Sequence, residues 1–158
     1  MTSVGRSLRR VTPADSLSLM SRKHELDLSK IWMFSACSGA QLRTIRKAVE
    51  EVIVPAGRVL CEEGTVGREF FFVVDGTASV RRNGRRVTTL GPGKWFGELS
   101  LLDRQPRSAS VVSETPMTLL VLEQRRFNGL LDEMPTLGRK LLVAMSQRLR
   151  EADAKALN

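Results

Sequence analysis

Tyrosine is absent from the 158-residue chain, histidine occurs once, and cysteine occurs twice. Cys37 and Cys61 form no CxxC pair, and His24 is the one imidazole that could join them, so a metal site is poorly supported. Two buried thiols in a reducing compartment are the simpler expectation. No nucleophile and base can be paired in this chain, so we expect neither an enzyme nor a bound cofactor.

Long apolar runs are missing as well. Unbroken runs such as residues 70–74 have the length of a strand, far below the roughly 18 to 20 residues of a membrane span. The N-terminus carries Arg6, Arg9 and Arg10 with no apolar segment behind them, which does not fit a secretory signal. We therefore expect a cytoplasmic chain without a membrane span.

Acidic residues are fewer than basic ones. The chain has 17 Asp and Glu residues and 25 Lys and Arg residues, which gives a formal net charge of +8. One interpretation is a nucleic-acid-binding protein, which would show a steep salt dependence of binding to arbitrary DNA. The basic residues are dispersed along the chain, however. A solvated basic surface is therefore the favoured interpretation.

One domain accounts for most of the length. We expect a flexible basic tail at residues 1–24 and a single domain at residues 25–158. Short runs rich in β-branched and aromatic residues, separated by Gly and Pro, predict strands from about residue 50 to 122. Helical patterns follow at about 123–156, where Pro135 suits the first turn of a long last helix. This order predicts a sandwich or barrel flanked by helices.

Two helical segments are predicted before the strands. The first is a short piece at residues 26–33. The second, at residues 38–49, is better defined because Ser38 and Gln41 match a capping box, in which each side chain satisfies an unpaired amide of the first turn.

The dipeptide Asn83-Gly84 predicts a β-hairpin, because both residues tolerate the positive φ of a type I′ turn. The turn sets a register in which Arg82 faces Arg85 and Arg81 faces Arg86. Like charges directly opposite each other are unfavourable, so we expect the tip to project into water.

The last helix carries apolar residues at alternating spacings of three and four. They are Leu142, Met145, Leu149, Ala152 and Ala156. The spacing is that of a coiled-coil interface, which would make a homodimer through this helix. The pattern lasts only about two heptads, which is too short to establish a coiled coil. Packing of the same face on the chain's own β-core fits the pattern equally well.

The segment at residues 91–109 has the parts of an anion pocket. A short helical turn near residues 98–102 would direct free N–H groups towards an anion at its N-terminus. Gly97 has no Cβ and lets a ligand approach the backbone. Arg107 supplies a planar fork for two phosphate oxygens, and Ser108 adds a hydroxyl.

Glu98 is the unexpected member of this segment, because a carboxylate repels a phosphate. It fits if it accepts a hydrogen bond from a sugar hydroxyl while pairing with Arg107, so a ribose phosphate matches the set. A purely structural ion pair between Glu98 and Arg107 is the alternative.

This segment resembles the phosphate-binding cassette of the cyclic-nucleotide-binding domains. The matching residues are Phe96-Gly97-Glu98-Leu99-Ser100-Leu101-Leu102 followed by Pro106-Arg107-Ser108-Ala109. The resemblance extends over roughly residues 32–149 through ordered turns, at Pro55-Ala56-Gly57, Glu63-Gly64, Asp75-Gly76 and Gly91-Pro92-Gly93. It implies a mainly β fold with flanking α, namely an antiparallel double-stranded β-helix (a jelly-roll-like β-roll) with N-terminal helices and a long C-terminal helix.

The resemblance also implies roles for single residues. Glu98 would accept from the ribose 2′-hydroxyl, and Arg107 would bind the cyclic phosphate. Backbone groups of Gly97, Leu99 and Ser100 would surround phosphate and ribose. Ser108 would contact the phosphate or the base edge, and Ala109 would line the pocket. Serine rather than threonine at position 108 favours cyclic AMP, with cyclic GMP as the other candidate.

These observations predict a regulatory module that binds a cyclic nucleotide and signals through its C-terminal helices to a protein effector that the sequence does not identify. The winged helix of the transcription-factor branch is not expected in this chain. The alternative is a degenerate member of the fold that binds no nucleotide and acts as a protein-interaction module.

Overall fold

The computed structural model describes residues 9–10 and 27–157, most of which belong to antiparallel strands and α-helices. The strands are β1 (Arg9–Arg10), β2 (Glu50–Val54), β3 (Val59–Cys61), β4 (Glu69–Asp75), β5 (Ala78–Arg82), β6 (Arg85–Leu90), β7 (Trp95–Phe96), β8 (Ser110–Ser113) and β9 (Met117–Glu123). The helices are α1 (Gly39–Ala48), α2 (Gln124–Glu133) and α3 (Pro135–Leu157). The predicted mainly β fold with flanking helices is confirmed.

Two antiparallel sheets make up the β-roll. One has the strand order β1-β2-β9-β4-β7, and the other has the order β3-β8-β5-β6. Alternate side chains of both sheets point inwards and form a core that includes Leu60, Phe71 and Leu119. Phe71 of β4 also stacks on Phe96 of β7, with ring centroids 4.8 Å apart.

A second apolar core joins the helices to the outer side of this roll. Phe34, Phe70, Leu101, Phe127 and Leu137 all belong to it. Leu101 ends the 3-10 helix Glu98–Leu101 that follows β7, and Phe127 lies in α2, so this core connects the predicted site segment to the C-terminal helices.

The hairpin predicted from Asn83-Gly84 forms as expected. Both residues have positive φ, 53° and 76°, and the predicted register places Arg82 opposite Arg85 and Arg81 opposite Arg86. Arg86 also forms an ion pair with Glu114, in the loop between β8 and β9. This pair offsets the repulsion between Arg86 and Arg81. A register shift between Val80 and Arg81 lets the ribbon twist before the turn.

The helix predicted at residues 26–33 is replaced by two short 3-10 helices, Leu28–Lys30 and Trp32–Phe34. Ile31 between them is extended, with φ −77° and ψ 123°, and it is fully buried. The extended backbone at Ile31 therefore interrupts the predicted helix. Residue 26 lies outside the described residues.

The prediction of a flexible tail falls mostly outside the described residues and stays a prediction there. Within that stretch the structure describes β1, where Arg9 pairs with Ile53 and Arg10 pairs with Val52 of β2.

Helix α1 begins and ends as predicted. The Oγ of Ser38 accepts from the Gln41 amide at 3.2 Å, and the Ser38 amide donates to the Gln41 side-chain oxygen at 3.0 Å. Both halves of the capping box are therefore formed. Ile45, in the second half of the helix, is fully buried.

Helix α3 turns one apolar face inwards and another outwards. The buried face consists of Leu137, Leu141 and Ala144. The interface face predicted from the sequence is turned away from the core, because Leu142 is 65% exposed and Leu149 is 66% exposed. The pattern at these positions therefore does not pack on the chain's own β-core. Among the described residues, no helix is long and apolar enough to cross a membrane.

Candidate functional site

A cavity of about 510 Å³ opens in the β-roll beside the segment that follows β7. Of the predicted site residues, five line it together, and these are Gly97, Glu98, Arg107, Ser108 and Ala109. Leu99 and Ser100 lie next to them in the 3-10 helix Glu98–Leu101, which is the short helical turn predicted for this segment. Residues up to twelve positions apart in the chain, from Gly97 to Ala109, thus line one cavity.

Arg107 forms the buried end of this cavity, with its side chain only 6% exposed. Its Nη2 donates to the Glu69 backbone oxygen at 2.8 Å, and its Nη1 lies 3.4 Å from the Gly97 oxygen. The Arg107 amide donates to the Thr65 oxygen at 2.7 Å. Hydrogen bonds from the backbone amide and from the guanidinium of Arg107 therefore fix the position of its side chain.

The acidic neighbour of Arg107 is Glu69 and not Glu98. Within the described residues, the ion pair of Arg107 joins Nη2 to Glu69 Oε2 at 3.9 Å, and none joins it to Glu98. The expected pairing of Glu98 with Arg107 is therefore not formed. Its physical reason is that Arg107 turns towards the beginning of β4, which brings Glu69 to it from 38 residues away in sequence.

Two glycines make room for the Arg107 guanidinium. A Cβ at Gly67 would lie 1.9 Å from Nε of Arg107. A Cβ at Gly97 would lie 2.5 Å from Nη1 and 2.8 Å from the Glu69 oxygen, and Gly97 has φ of +82°. Gly97 is therefore needed for its backbone conformation as well as for close approach. The requirement at Gly67 could not be seen in the sequence, because it depends on a residue 40 positions away.

Glu98 stands half-buried in the cavity wall. Its carboxylate makes no hydrogen bond to any residue in the described part of the chain, so it can accept from a ligand hydroxyl. Asp103 also lines the cavity, and so does a second guanidinium, that of Arg82. The lining therefore combines two cations with two carboxylates.

The remaining wall is largely apolar and includes Val80, Leu90, Trp95 and Val111. Cys61 also belongs to it, and burial raises the pKa of its thiol to about 12, although nearby Arg107 acts in the opposite direction. The thiol is therefore neutral at ordinary pH and behaves as an apolar side chain. Over residues 9–10 and 27–157, no cluster of three or more His, Cys, Asp or Glu side chains could hold a metal ion.

A family model described as cyclic nucleotide-binding domain matches residues 51–134 of the chain. A cyclic nucleotide-gated potassium channel of Rhizobium etli is 39% identical over 103 residues, which cover 65% of this chain and 29% of the channel. The cAMP-dependent protein kinase regulatory subunit of Schizosaccharomyces pombe is 33% identical over 109 residues, covering 68% of this chain and 26% of the subunit. The chain thus spans less than a third of these curated relatives.

Solved structures give the same resemblance. The N-terminal domain of a transcriptional regulator from Streptomyces coelicolor A3(2) superposes with a TM-score of 0.73 at 30% identity, over 81% of this chain and 92% of that domain. The catabolite activator protein of Thermus thermophilus superposes with a TM-score of 0.62 at 29% identity, over 79% of this chain and 61% of that protein.

Proposed function

Because the chain belongs to the cyclic nucleotide-binding domain family, we propose that it is a regulatory module that binds cyclic AMP and has no catalytic activity of its own. The observation that supports this most strongly is the convergence of Gly97, Glu98, Arg107, Ser108 and Ala109 on one cavity. A pocket of several hundred Å³ with an apolar wall and a few converging polar groups is typical of a small-molecule site.

Arg107 is the proposed phosphate ligand. A guanidinium has five N–H donors, and the contacts to Glu69 and Gly97 leave others for the cyclic phosphate. Hydrogen bonds between a guanidinium and a phosphate are among the stronger ones in proteins, and burial strengthens them further. Glu69 holds the guanidinium in place before the ligand arrives, which reduces the entropy lost on binding.

The proposed ribose contact is Glu98, whose carboxylate would accept from the 2′-hydroxyl. The backbone of Leu99 and Ser100 would lie against the phosphate and ribose, while Ala109 would complete the wall. Ser108 is the residue that favours cyclic AMP over cyclic GMP in this proposal, following the resemblance of the cassette.

Signalling is proposed to run from the cassette to α2 and α3. Leu101, in the 3-10 helix of the site, shares an apolar core with Phe127 and Leu130 of α2 and with Leu137 and Leu141 of α3. A ligand that binds one arrangement of the cassette more tightly shifts the population of the helices packed against it. The output would reach a protein effector, or a second copy of the chain, through α3 in the cytoplasm.

Hydrogen exchange of the full chain, with and without saturating cyclic AMP, tests both halves of the proposal. We expect slower exchange at residues 97–109 and altered exchange in α2 and α3. Protection confined to residues 97–109 would contradict the signalling step alone. Unchanged exchange throughout, together with no thermal shift, would contradict nucleotide binding and favour a protein-interaction module.

A further inference from the structure

The hairpin of β5 and β6 carries a charge arrangement that the candidate site does not explain. Residues 78–90 contain four arginines and no acidic residue. The register places Arg81 opposite Arg86 and Arg82 opposite Arg85. Like charges directly opposite each other destabilise a sheet. Native proteins accept such local costs at functional positions, so the hairpin is a candidate binding surface.

One of the four guanidinium groups is free of contacts within the described part of the chain. It belongs to Arg85, which is exposed and whose side chain enters no hydrogen bond or ion pair there. The other three each contact the chain itself, Arg81 at Ser79, Arg82 at Ser108 and Arg86 at Glu114. Arg85 is therefore the cation of the hairpin that is most available to a partner.

The strand that carries Arg85 is also the end of its sheet. Among the described residues the order is β3-β8-β5-β6, and residues 85–89 of β6 are all exposed. The outer edge of an end strand presents N–H and C=O groups that can pair with a further strand. Because the register shifts between Val80 and Arg81, the regular part of β6 is residues 88–90. An added strand would therefore align with residues 88–90 and continue towards Arg85.

Charge decides which strand this edge accepts. A second copy of the hairpin would bring four further arginines to the same sheet, and charged edge strands discourage pairing of this kind. Residues 1–24 of the chain have Asp15 as their one acidic residue, so they do not supply a complementary strand either. A segment rich in Asp or Glu relieves the repulsion, since a carboxylate accepts bidentate hydrogen bonds from a guanidinium.

Carboxylates from elsewhere in the chain already contact this hairpin. Glu63 accepts from the Asn83 amide at 3.0 Å, and Glu114 pairs with Arg86. The same two carboxylates repel the continuous row of phosphates of a nucleic acid, which also lacks the N–H and C=O groups that pair with a strand edge. The surface therefore fits an acidic peptide better than a nucleic acid.

We propose that the outer edge of β6, beside Arg85, binds an extended acidic segment of a partner protein as an added strand. Backbone hydrogen bonds to residues 88–90 hold the segment, and one of its carboxylates pairs with Arg85. The inference goes beyond the proposed function and needs no nucleotide, because residues 85–89 are not among those that line the cavity.

The probe is a labelled peptide of about eight residues, the length of an ordinary strand, which alternates glutamate and valine and has blocked ends. It is titrated with the full chain and followed by fluorescence anisotropy. We expect saturable binding that weakens as salt is added, since exposed charge pairs are screened. Hydrogen exchange at residues 85–90 should slow when the peptide binds. Arg85→Glu should weaken binding about 3- to 30-fold, because it replaces an attraction by a repulsion.

Two controls separate this surface from general attraction to a basic protein. Arg125→Glu makes the same charge change at an exposed position of α2 and should leave the affinity unchanged. An N-methylated form of the peptide keeps its charges but cannot donate backbone hydrogen bonds. We expect it to bind at least about tenfold more weakly.

Absence of peptide binding by the unaltered chain would overturn the inference. Equal losses in Arg85→Glu and Arg125→Glu would do so as well, because they would indicate attraction to the whole basic surface. Undiminished binding of the N-methylated peptide would rule out an added strand. Tighter binding of a single-stranded thymidine oligonucleotide of equal charge would identify the surface as a nucleic-acid site and contradict the choice of a protein partner.

Discussion

Of the two glycines beside the Arg107 guanidinium, Gly67 leaves less room for a side chain than Gly97 does, which makes Gly67→Ala a sharp perturbation. The new methyl carbon would lie 1.9 Å from Nε of Arg107 and 2.1 Å from its Cζ and Nη2. Ordinary contacts between such atoms begin near 3.5 Å, so the guanidinium has to withdraw by about 1.5 Å. The neighbouring strand cannot give way as easily as this one side chain.

The cost to binding follows from the bonds that Arg107 would no longer make in place. A hydrogen bond to a charged group contributes about 1.5 to 3 kcal/mol. Loss of one such bond to the cyclic phosphate corresponds to a rise in Kd of about 10- to 100-fold. Gly67 is not among the glycines with positive φ, so its backbone conformation suits alanine, but the displaced guanidinium also gives up its bonds to the Glu69 and Gly97 oxygens.

Calorimetric titration with cyclic AMP measures the affinity, and thermal unfolding shows whether the fold is retained. We expect weaker binding and a lower Tm, because Arg107 loses its backbone partners, while a single cooperative unfolding transition shows that the fold is retained. The control is Gly91→Ala, since a Cβ at Gly91 meets no atom within 4 Å, and it should bind as the unaltered chain does. A folded Gly67→Ala protein with affinity within about threefold of normal would refute the role assigned to Arg107.

Further predictions concern the scaffold. Burial raises the pKa of Cys61 from 9.0 to about 12, so the folded chain keeps a proton that the unfolded chain loses between those values. The free energy of unfolding should therefore fall as pH rises above about 9, and less steeply in Cys61→Ala; identical slopes in denaturant titrations would contradict this. Ser38→Ala removes the cap that accepts from Gln41 and should cost about 1 kcal/mol in urea unfolding, whereas no loss would mean that the cap is dispensable. Arg148 lies 4.9 Å from the Trp32 ring centroid. Arg148→Ala should therefore destabilise the docking of α3 by about 0.5 to 1 kcal/mol, and unchanged unfolding would contradict that contact.

Features that depend on neighbours in sequence could be predicted from the sequence. The turn at Asn83-Gly84 sets its own register, because two adjacent residues decide which strand residues face each other. The same holds for the capping box of Ser38 and Gln41, whose partners are three residues apart. The members of the cassette could be named because they form one short segment.

Features that depend on tertiary packing could not be predicted from the sequence. Arg107 was expected to pair with the nearby Glu98, yet β4 brings Glu69 closer, and no local pattern specifies that approach. Ile31 has an extended backbone that interrupts the helical pattern, and its side chain lies in the core. The exposure of one face of α3 follows from how that helix docks, which its spacing of apolar residues leaves open.

Arg107→Ala tests the central claim most directly, through calorimetric titration of the folded chain with cyclic AMP. Arg125→Ala, which removes the same charge from an exposed position on α2, serves as the control. The account predicts saturable binding by the unaltered chain and by Arg125→Ala, with a loss of at least about 100-fold in Arg107→Ala, since a buried phosphate would lose its charged partner. Equal affinity of Arg107→Ala and the unaltered chain, or no binding by either, would contradict it.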